Sequence, residues 1–553
     1  MRDFFRNYWL VSRDFWRSKA GLIALLILAI CVVFEFTSVG LSVYLNHWYV
    51  AFYNAVEQYD KQILLRQLII FAGITSAMLL NSFLAYFCGQ YLVIFMRKPM
   101  TENYVSNWLN SKSYLSCATI YDNPEERISY DIQQLIVLSK NMFLTIIHSV
   151  STLASFSFIL WGLSGVLSLS LYGYDFNIYG YLFWVAIFLG IINVWAVFRV
   201  GKPLKELLYS QQKYEADFRY GLSVVRNNKN SIYDNKSEKR EYVLSRKNFN
   251  KVVDNFYKVT FRKAKIDIVR SFFVQIYSLA GIILALPRYF AKSISFGQIM
   301  QVQSAFYSVI SPMLFLVFWY ENLAELRTNV SRLSELKKST QTSQQQDNNR
   351  IIDYQHQALI TLQNITIIKQ DGILLKNITF SLDKGEGLFI HGRIGIGKTS
   401  LLRVVNGHSN NFVGKIIFNK VPRIIFLPQL PYFPKDDFKR AVFYPHFANI
   451  PTDIEFKAIL DSLDIGYLAK FINSIHEWKN ILSSGEQQKL RLCKIFTKDY
   501  DLILLDEATS NIDAKAEKKI YQLLKDKGLA YISVSHNDRV KAYHDKVIEL
   551  TSD

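Results

Sequence analysis

Apolar residues are distributed unevenly along this chain. Before about residue 325 they run together in six stretches, 21–45, 67–95, 142–169, 179–199, 268–287 and 299–320. Each is long enough to cross a bilayer, which takes roughly 20 residues of helix. The first is the clearest, from Gly21-Leu22-Ile23-Ala24-Leu25-Leu26 onward; the last two carry Pro287 and Pro312. Beyond residue 336 the pattern changes. Lys337 to Arg350 has no apolar residue to bury and reads as a flexible linker, taken here as 337–357. After 358 the apolar runs are short, as in Gly387–His391 and Asp501–Leu505, and fit parallel strands buried on both faces. The expected architecture is an all-α membrane domain of six transmembrane helices over 1–336, followed by an α/β unit over 358–553.

Charge orients the first part. Arg2, Arg6, Arg13, Arg17 and Lys19 precede the first span, and the segments 97–140 and 202–262 are rich in Lys and Arg. Gly173-Tyr174-Asp175-Phe176 carries neither, while Arg288 and Lys292 are a mild exception on the outer side. Positive charge stays cytoplasmic, so an even number of spans puts both termini and the α/β unit in the cytoplasm. Aromatics interleaved with the leading arginines suggest an interfacial helix rather than a cleavable leader. Much of the net charge of +18 flanks the spans, where anionic lipid accounts for it without a nucleic-acid partner. Cys31, Cys88, Cys117 and Cys493 show neither metal nor disulfide spacing. Glu35 lies inside the first span, where an acid lines a cavity, titrates, or hydrogen-bonds between helices. Asp122-Asn123-Pro124-Glu125-Glu126 reads as a helix start, and a second short helix is expected near Tyr214–Glu241. Both are candidates to seat on the α/β unit.

The chemistry is concentrated late. Residues 392–399 read Gly392-Arg393-Ile394-Gly395-Ile396-Gly397-Lys398-Thr399, after an expected strand and leading into an expected helix over Thr399–Val405, which includes Ser400. Glycines let several backbone N–H groups converge on phosphate at a helix N-terminus. Lys398 would reach the β- and γ-phosphates of ATP, and Thr399 would hold Mg²⁺. Asp506 and Glu507 end an apolar strand, where ligands gather in an open α/β sheet. Asp506 suits the metal; Glu507 suits polarising the attacking water.

Leu482-Ser483-Ser484-Gly485-Glu486-Gln487-Gln488 resembles the signature of ATP-binding cassette (ABC) ATPases. The other landmarks stand in family order: Gln429 in Leu427-Pro428-Gln429, Asp513 in Ser510-Asn511-Ile512-Asp513, and His536 after Ser533-Val534-Ser535. The resemblance implies that Gln429 joins the metal site and that His536 senses the γ-phosphate. It also implies that Ser483, Gly485, Glu486 and Asp513 face nucleotide on a second cassette. One cassette per chain then implies two subunits, by default two copies of this chain. In the membrane half, Asn46-His47-Trp48-Tyr49, Asn123-Pro124-Glu125-Glu126-Arg127-Ile128 and Glu215-Ala216-Asp217-Phe218 resemble the SbmA/BacA-like and YddA-type bacterial transporters, and more distantly the peroxisomal fatty-acyl transporters. That implies an exporter-type fold in a bacterial inner membrane and a bulky solute such as a peptide or a cobalamin-like compound, import included. A membrane-anchored signalling or scaffolding ATPase and an exporter of lipid or acyl compounds are the alternatives. Departures are the stretch at Lys369 and Gln370, where an adenine-stacking aromatic is usual, Ser484, Lys489, and Asn230–Asp234.

Overall fold

A computed structural model describes residues 2–111, 113–114, 124–171, 174–342, 350–353, 357–369, 372–409, 411–445 and 450–550. The chain divides into two compact units, Met1–Gln344 and Gln345–Asp553.

The first unit is built of long helices: α1 (Arg2–Trp16), α2 (Lys19–Glu57), α3 (Lys61–Asn110), α4 (Ile132–Ser164), α5 (Tyr181–Gly201), α6 (Leu204–Asn227), α7 (Lys229–Asp234), α8 (Glu238–Phe290), α9 (Phe296–Ile310) and α10 (Phe315–Thr342). Side chains start them where the sequence offers acceptors. Asp60 takes the N–H groups of Gln62 and Ile63, and Ser295 forms a reciprocal cap with Gln298. Among the described residues, five helical stretches are long and apolar enough to cross a membrane: α2, α3, Pro124–Ser164, Tyr181–Asn227 and α8.

Several expectations are corrected. The sixth span, 299–320, is not one helix. A 3₁₀ turn at Ser311–Leu314 separates α9 from α10, because Pro312 has no N–H to continue the ladder. The third, 142–169, ends at Ser164. Gly165 turns with φ 61°, and an antiparallel hairpin follows, β1 (Val166–Leu171) with β2 (Tyr174–Tyr179). The helix expected near 214–241 is instead the end of α6, then α7, then the start of α8. Within the range 337–357 expected as a linker, residues at both ends are in regular structure. The α10 helix runs to Thr342, and a strand begins at Arg350. Lys337 is buried, donating to Leu10 O at 2.8 Å and to Asp14 at 2.6 Å. The helix start at Asp122-Asn123 and Cys117 lie outside the described residues. Cys31 and Cys88, 57 positions apart, bring their sulfurs within 3.3 Å between α2 and α3.

A π-helical turn, Arg127–Asp131, precedes α4. Arg127 donates to Arg332 O (2.8 Å) and Glu335 (3.3 Å), while Arg332 pairs with Glu126 (3.4 Å) and the fully buried Asp131 (3.1 Å). This charged ladder ties the entry of α4 to α10.

The second unit holds two sheets. One is parallel, in the order β11 (Lys546–Leu550), β6 (Gly387–Gly392), β10 (Ala530–Val534), β9 (Leu502–Asp506), β8 (Ile424–Leu427). The other runs β3 (Arg350–Ile352), β7 (Phe412–Phe418), β4 (Ile360–Lys369), β5 (Gly372–Leu382). Every residue of β9 and β10 is buried, as parallel strands covered on both faces require. The helices are α11 (Lys398–Val405), α12 (Phe438–Phe443), α13 (Asp453–Ser462), α14 (Trp478–Ile481), α15 (Ser484–Leu492) and α16 (Ala514–Asp526). The register aligns Val534 with both Ile390 and Asp506. The carboxyl ends of β6, β9 and β10 therefore meet at one edge, and the loops leaving them form the site.

Candidate nucleotide site

The glycine loop leaves β6 and enters α11. Gly392 has φ 153°, and a Cβ there would lie 2.9 Å from Leu550 O; Gly397 caps α11 at φ 110°, where a Cβ would press on Leu374. Both positions need glycine on steric and conformational grounds. The side chain of Lys398 folds back over the loop, its Nζ donating to Gly392 O at 2.6 Å and Arg393 O at 3.0 Å. Burial lowers its pKa, opposed by the nearby Glu507 and Asp506 carboxylates. Ile394 is exposed at the loop tip, and Ile396 donates back to Arg393 O. Ser400 lies in the first turn of α11.

Thr399 Oγ1 donates to Asp506 Oδ1 at 2.9 Å. Burial raises the pKa of Asp506, against the Thr399 hydrogen bond and the charges of Arg403 and Arg491. A hydroxyl and a carboxylate at this spacing are hard oxygen donors of the kind magnesium takes alongside phosphate oxygens. Next in sequence to Lys398, whose ammonium is held at the glycine loop, they fit a magnesium-bound triphosphate.

Glu507 sits one residue further, in a left-handed conformation with φ 48°, its N–H donating to Val534 O at 2.9 Å. Its two carboxylate oxygens are held separately. Gln429 Nε2 donates to one at 2.6 Å, and His536 Nε2 lies 2.8 Å from the other. Three residues spread over 107 positions are thus one cluster.

The signature segment forms a second group. Ser483 caps α15, and Glu486 returns the bond: its Oε2 accepts from the Ser483 N–H and hydroxyl, both at 2.7 Å. Tyr467 donates to the other Glu486 oxygen at 2.5 Å. Burial pushes the Glu486 pKa up, but the hydrogen bonds from Tyr467 and Ser483 hold it below the usual carboxylate value, while Tyr467 rises to about 12. A Cβ on Gly485 would stand 2.9 Å from Asn511 O. Gln488 joins α15 to the same stretch, donating to Ser510 Oγ (3.1 Å) and accepting from Asn511 N (2.9 Å). Asp513 caps α16 through Ala516 N at 2.9 Å. Among the described residues no hydrogen bond or ion pair joins this group to the glycine loop.

Sequence reading did not single out Tyr467 or Arg491, and it placed Gln488 in the signature without a role. Arg491 is 3% exposed, none of its three side-chain nitrogens has a hydrogen-bond partner among the described residues, and burial draws its pKa down to about 9. Gln488 and Arg491 stand one helical turn apart on the buried side of α15, a spacing that could have flagged them. Tyr467 could not have been found that way, being 19 positions from its partner. Lys369 ends β4, and Gln370 lies outside the described residues.

The family pattern described as ABC transporter transmembrane region 2 matches residues 15–290, and that described as ABC transporter matches 375–510. The chain belongs to the ABC transporters. It is a half-transporter, one membrane domain and one cassette, whose cassette binds ATP and couples hydrolysis to transport. The inner membrane ABC transporter ATP-binding protein YddA of Escherichia coli K12 is 26% identical, over 100% of this chain and 98% of that one. The human lysosomal cobalamin transporter ABCD4 is 23% identical, over 97% and 92%. A bacterial Atm1-family ABC exporter solved with ATP bound has the same fold, with a TM-score of 0.74 at 16% identity, covering 95% of this chain and 93% of its own.

Proposed function

We propose that this half-transporter works as a homodimer in a bacterial inner membrane, cassettes and termini in the cytoplasm, moving a bulky organic solute of the peptide or corrinoid kind. The cobalamin named in the human relative and the breadth of the resemblance to YddA support the solute class and the membrane. Lys398 and the loop from Gly392 to Ser400 bind the phosphates of ATP. Thr399 and Asp506, with Gln429, hold magnesium, which when bound offsets charge on the transferring phosphoryl group. Glu507 orients the attacking water, and His536 fixes that carboxylate and meets the γ-phosphate. Ser483, Gly485, Glu486 and Asp513 complete the site of the partner copy.

The observation that carries the reading is the single carboxylate of Glu507 held between Gln429 and His536, beside the Thr399–Asp506 pair. Two inactive variants test the shared site. Lys398→Ala spoils the phosphate loop, and Ser483→Arg spoils the signature. Coexpressed, they form mixed dimers in which one site collects both lesions and the other is intact, so part of the ATPase activity returns. No recovery, or full turnover by a lone subunit, refutes the composite site. ATP-driven uptake or release of solute in sealed vesicles separates a transporter from a scaffolding ATPase.

A further inference from the structure

One cavity of the membrane unit lies beside its amino-terminal helix. It has a volume of about 180 Å³, comparable to cavities that take a benzene-sized guest. Four helices enclose it. Tyr8 and Trp16 line it from α1, Leu28 from α2, Met96 from α3, and Ser139 and Lys140 from α4. Lys140 stands just before the apolar stretch that begins at 142, and Trp16 just before the one that begins at 21. The cavity therefore straddles a polar–apolar boundary, on the side that the charge pattern assigns to the cytoplasm.

One cation lines this otherwise mostly apolar wall. Lys140 Nζ reaches Gly89 O at 3.5 Å, the far limit of a hydrogen bond, and among the described residues no ion pair holds it. The groups that face it from α2 and α3 are the thiols of Cys31 and Cys88, which carry no charge to offset it. Glu35 of α2 is turned to His148, 3.0 Å away. The Ser139 hydroxyl is sealed from solvent and makes no hydrogen bond of good geometry among the described residues, with the Tyr8 hydroxyl close by. An ammonium and two hydroxyls thus meet at a cavity that gives them few acceptors. Outside it, Arg2, Arg6 and Arg17 of the first helical segment and the following Lys19 are exposed. A basic pocket between membrane helices, beside a basic amphipathic helix, is the pattern that collects anionic lipid.

We infer that this cavity is a binding site for an anionic phospholipid, with Lys140, Ser139 and Tyr8 taking its phosphate and Leu28 and Met96 lying against the start of an acyl chain. The remainder of the lipid stays in the bilayer. Ammonium and phosphate form charge-assisted hydrogen bonds, which strengthen where water is scarce. A lipid so held bridges α1 to three helices of the bundle. The inference does not depend on the solute, and it rests on the proposed orientation only for the leaflet that supplies the lipid.

The probes are dioctanoyl phosphatidic acid and dioctanoylglycerol, which share their acyl chains and differ by the phosphate. Native mass spectrometry of the full chain in detergent counts each bound lipid. The acid should bind about tenfold more tightly than the glyceride, as expected for one charge-assisted contact away from bulk water. Lys140→Gln should erase that preference, Lys140→Arg should retain most of it, and Ser139→Val should weaken the acid about threefold while sparing the glyceride. Arg17→Gln changes the exposed surface and not the cavity, so the preference should persist. Equal affinity for the two lipids, absence of saturable binding by the wild type, a preference that survives Lys140→Gln, or one lost with Arg17→Gln overturns the assignment. Should Lys140→Gln fail to fold, Ser139→Val decides, and an unchanged affinity for the acid overturns the site. Displacement of the acid by millimolar glycerol phosphate, which has no chains, would mark a soluble-anion site and overturn the lipid assignment as well.

Discussion

The two units bury opposite things. In the cassette, β9 and β10 are sealed on both faces, and apolar clusters fill the space on either side of the parallel sheet. In the membrane unit, large apolar side chains such as Leu26, Ile69 and Phe158 point outward, while Asn46, Asn81, Asn193 and Gln301 are buried between helices. Water drives the first arrangement, since removing apolar surface from it is the main favourable contribution. Lipid offers no such drive, so helix contacts in the second rest on packing and on polar groups finding one another. The same residue type therefore carries different consequences in the two halves, and substitutions can test that.

The largest expected effect is chemical. Glu507→Gln should retain ATP binding while turnover falls by roughly two to four orders of magnitude, the usual range for a lost general base. Equilibrium nucleotide binding and phosphate release, measured side by side, check it; ordinary turnover removes Glu507 from its role. Next comes a matched pair. Trp478 is 1% exposed, packs on Phe438 with ring centroids 4.7 Å apart and donates to Asp436 O at 2.9 Å. Trp478→Ala should cost the cassette about 3–5 kcal/mol, whereas Leu26→Ala, on the outward face of α2, should leave thermal unfolding of the membrane unit nearly unchanged. Equal losses would erase the contrast between the units.

A pH effect sharpens it further. Burial takes the pKa of His544 down to about 4, in spite of the bond from its Nδ1 to Val540 O at 2.8 Å. The imidazole stays neutral among Phe389, Tyr521 and Tyr531. Between pH 6.5 and 4 the unfolded chain binds the proton that the folded chain refuses, so stability falls as pH falls through that window. The loss reaches on the order of 3 kcal/mol by pH 4. His544→Phe should flatten that part of the denaturation profile of the full chain, and an unchanged slope would assign acid sensitivity elsewhere. The smallest effect belongs to the membrane unit. Asn81 donates to Phe34 O at 3.1 Å, joining α3 to α2; Asn81→Leu should cost only about 0.6 kcal/mol, the average for such bonds in lipid. A loss several times larger would mean that polar contacts carry more of this bundle than the comparison allows.

How much the sequence disclosed follows the same divide. Cassette chemistry sits at strand ends and helix starts, where short motifs determine local geometry, so Lys398, Thr399, Asp506 and Ser483 could be named before any coordinates. Their assembly into two groups could not, because it depends on strand order and register. In the membrane half, hydropathy located the long helices but not the break at Pro312 or the hairpin after Ser164. Glu35 was conspicuous as an acid in an apolar run; His148, 113 positions away, was not, since nothing local distinguishes a partner supplied by another helix. The charged ladder from Arg127 and Asp131 to Arg332 was hidden for the same reason.

One buried lysine reaches beyond its own helix. Through Lys337, the last turns of α10 are fastened to α1, 323 positions earlier in the chain. The end of α10 and the amino-terminal helix are therefore held as one piece of the membrane unit. Trimming the first fifteen residues would therefore not shed an appendage. It would strand an ammonium group inside the bundle.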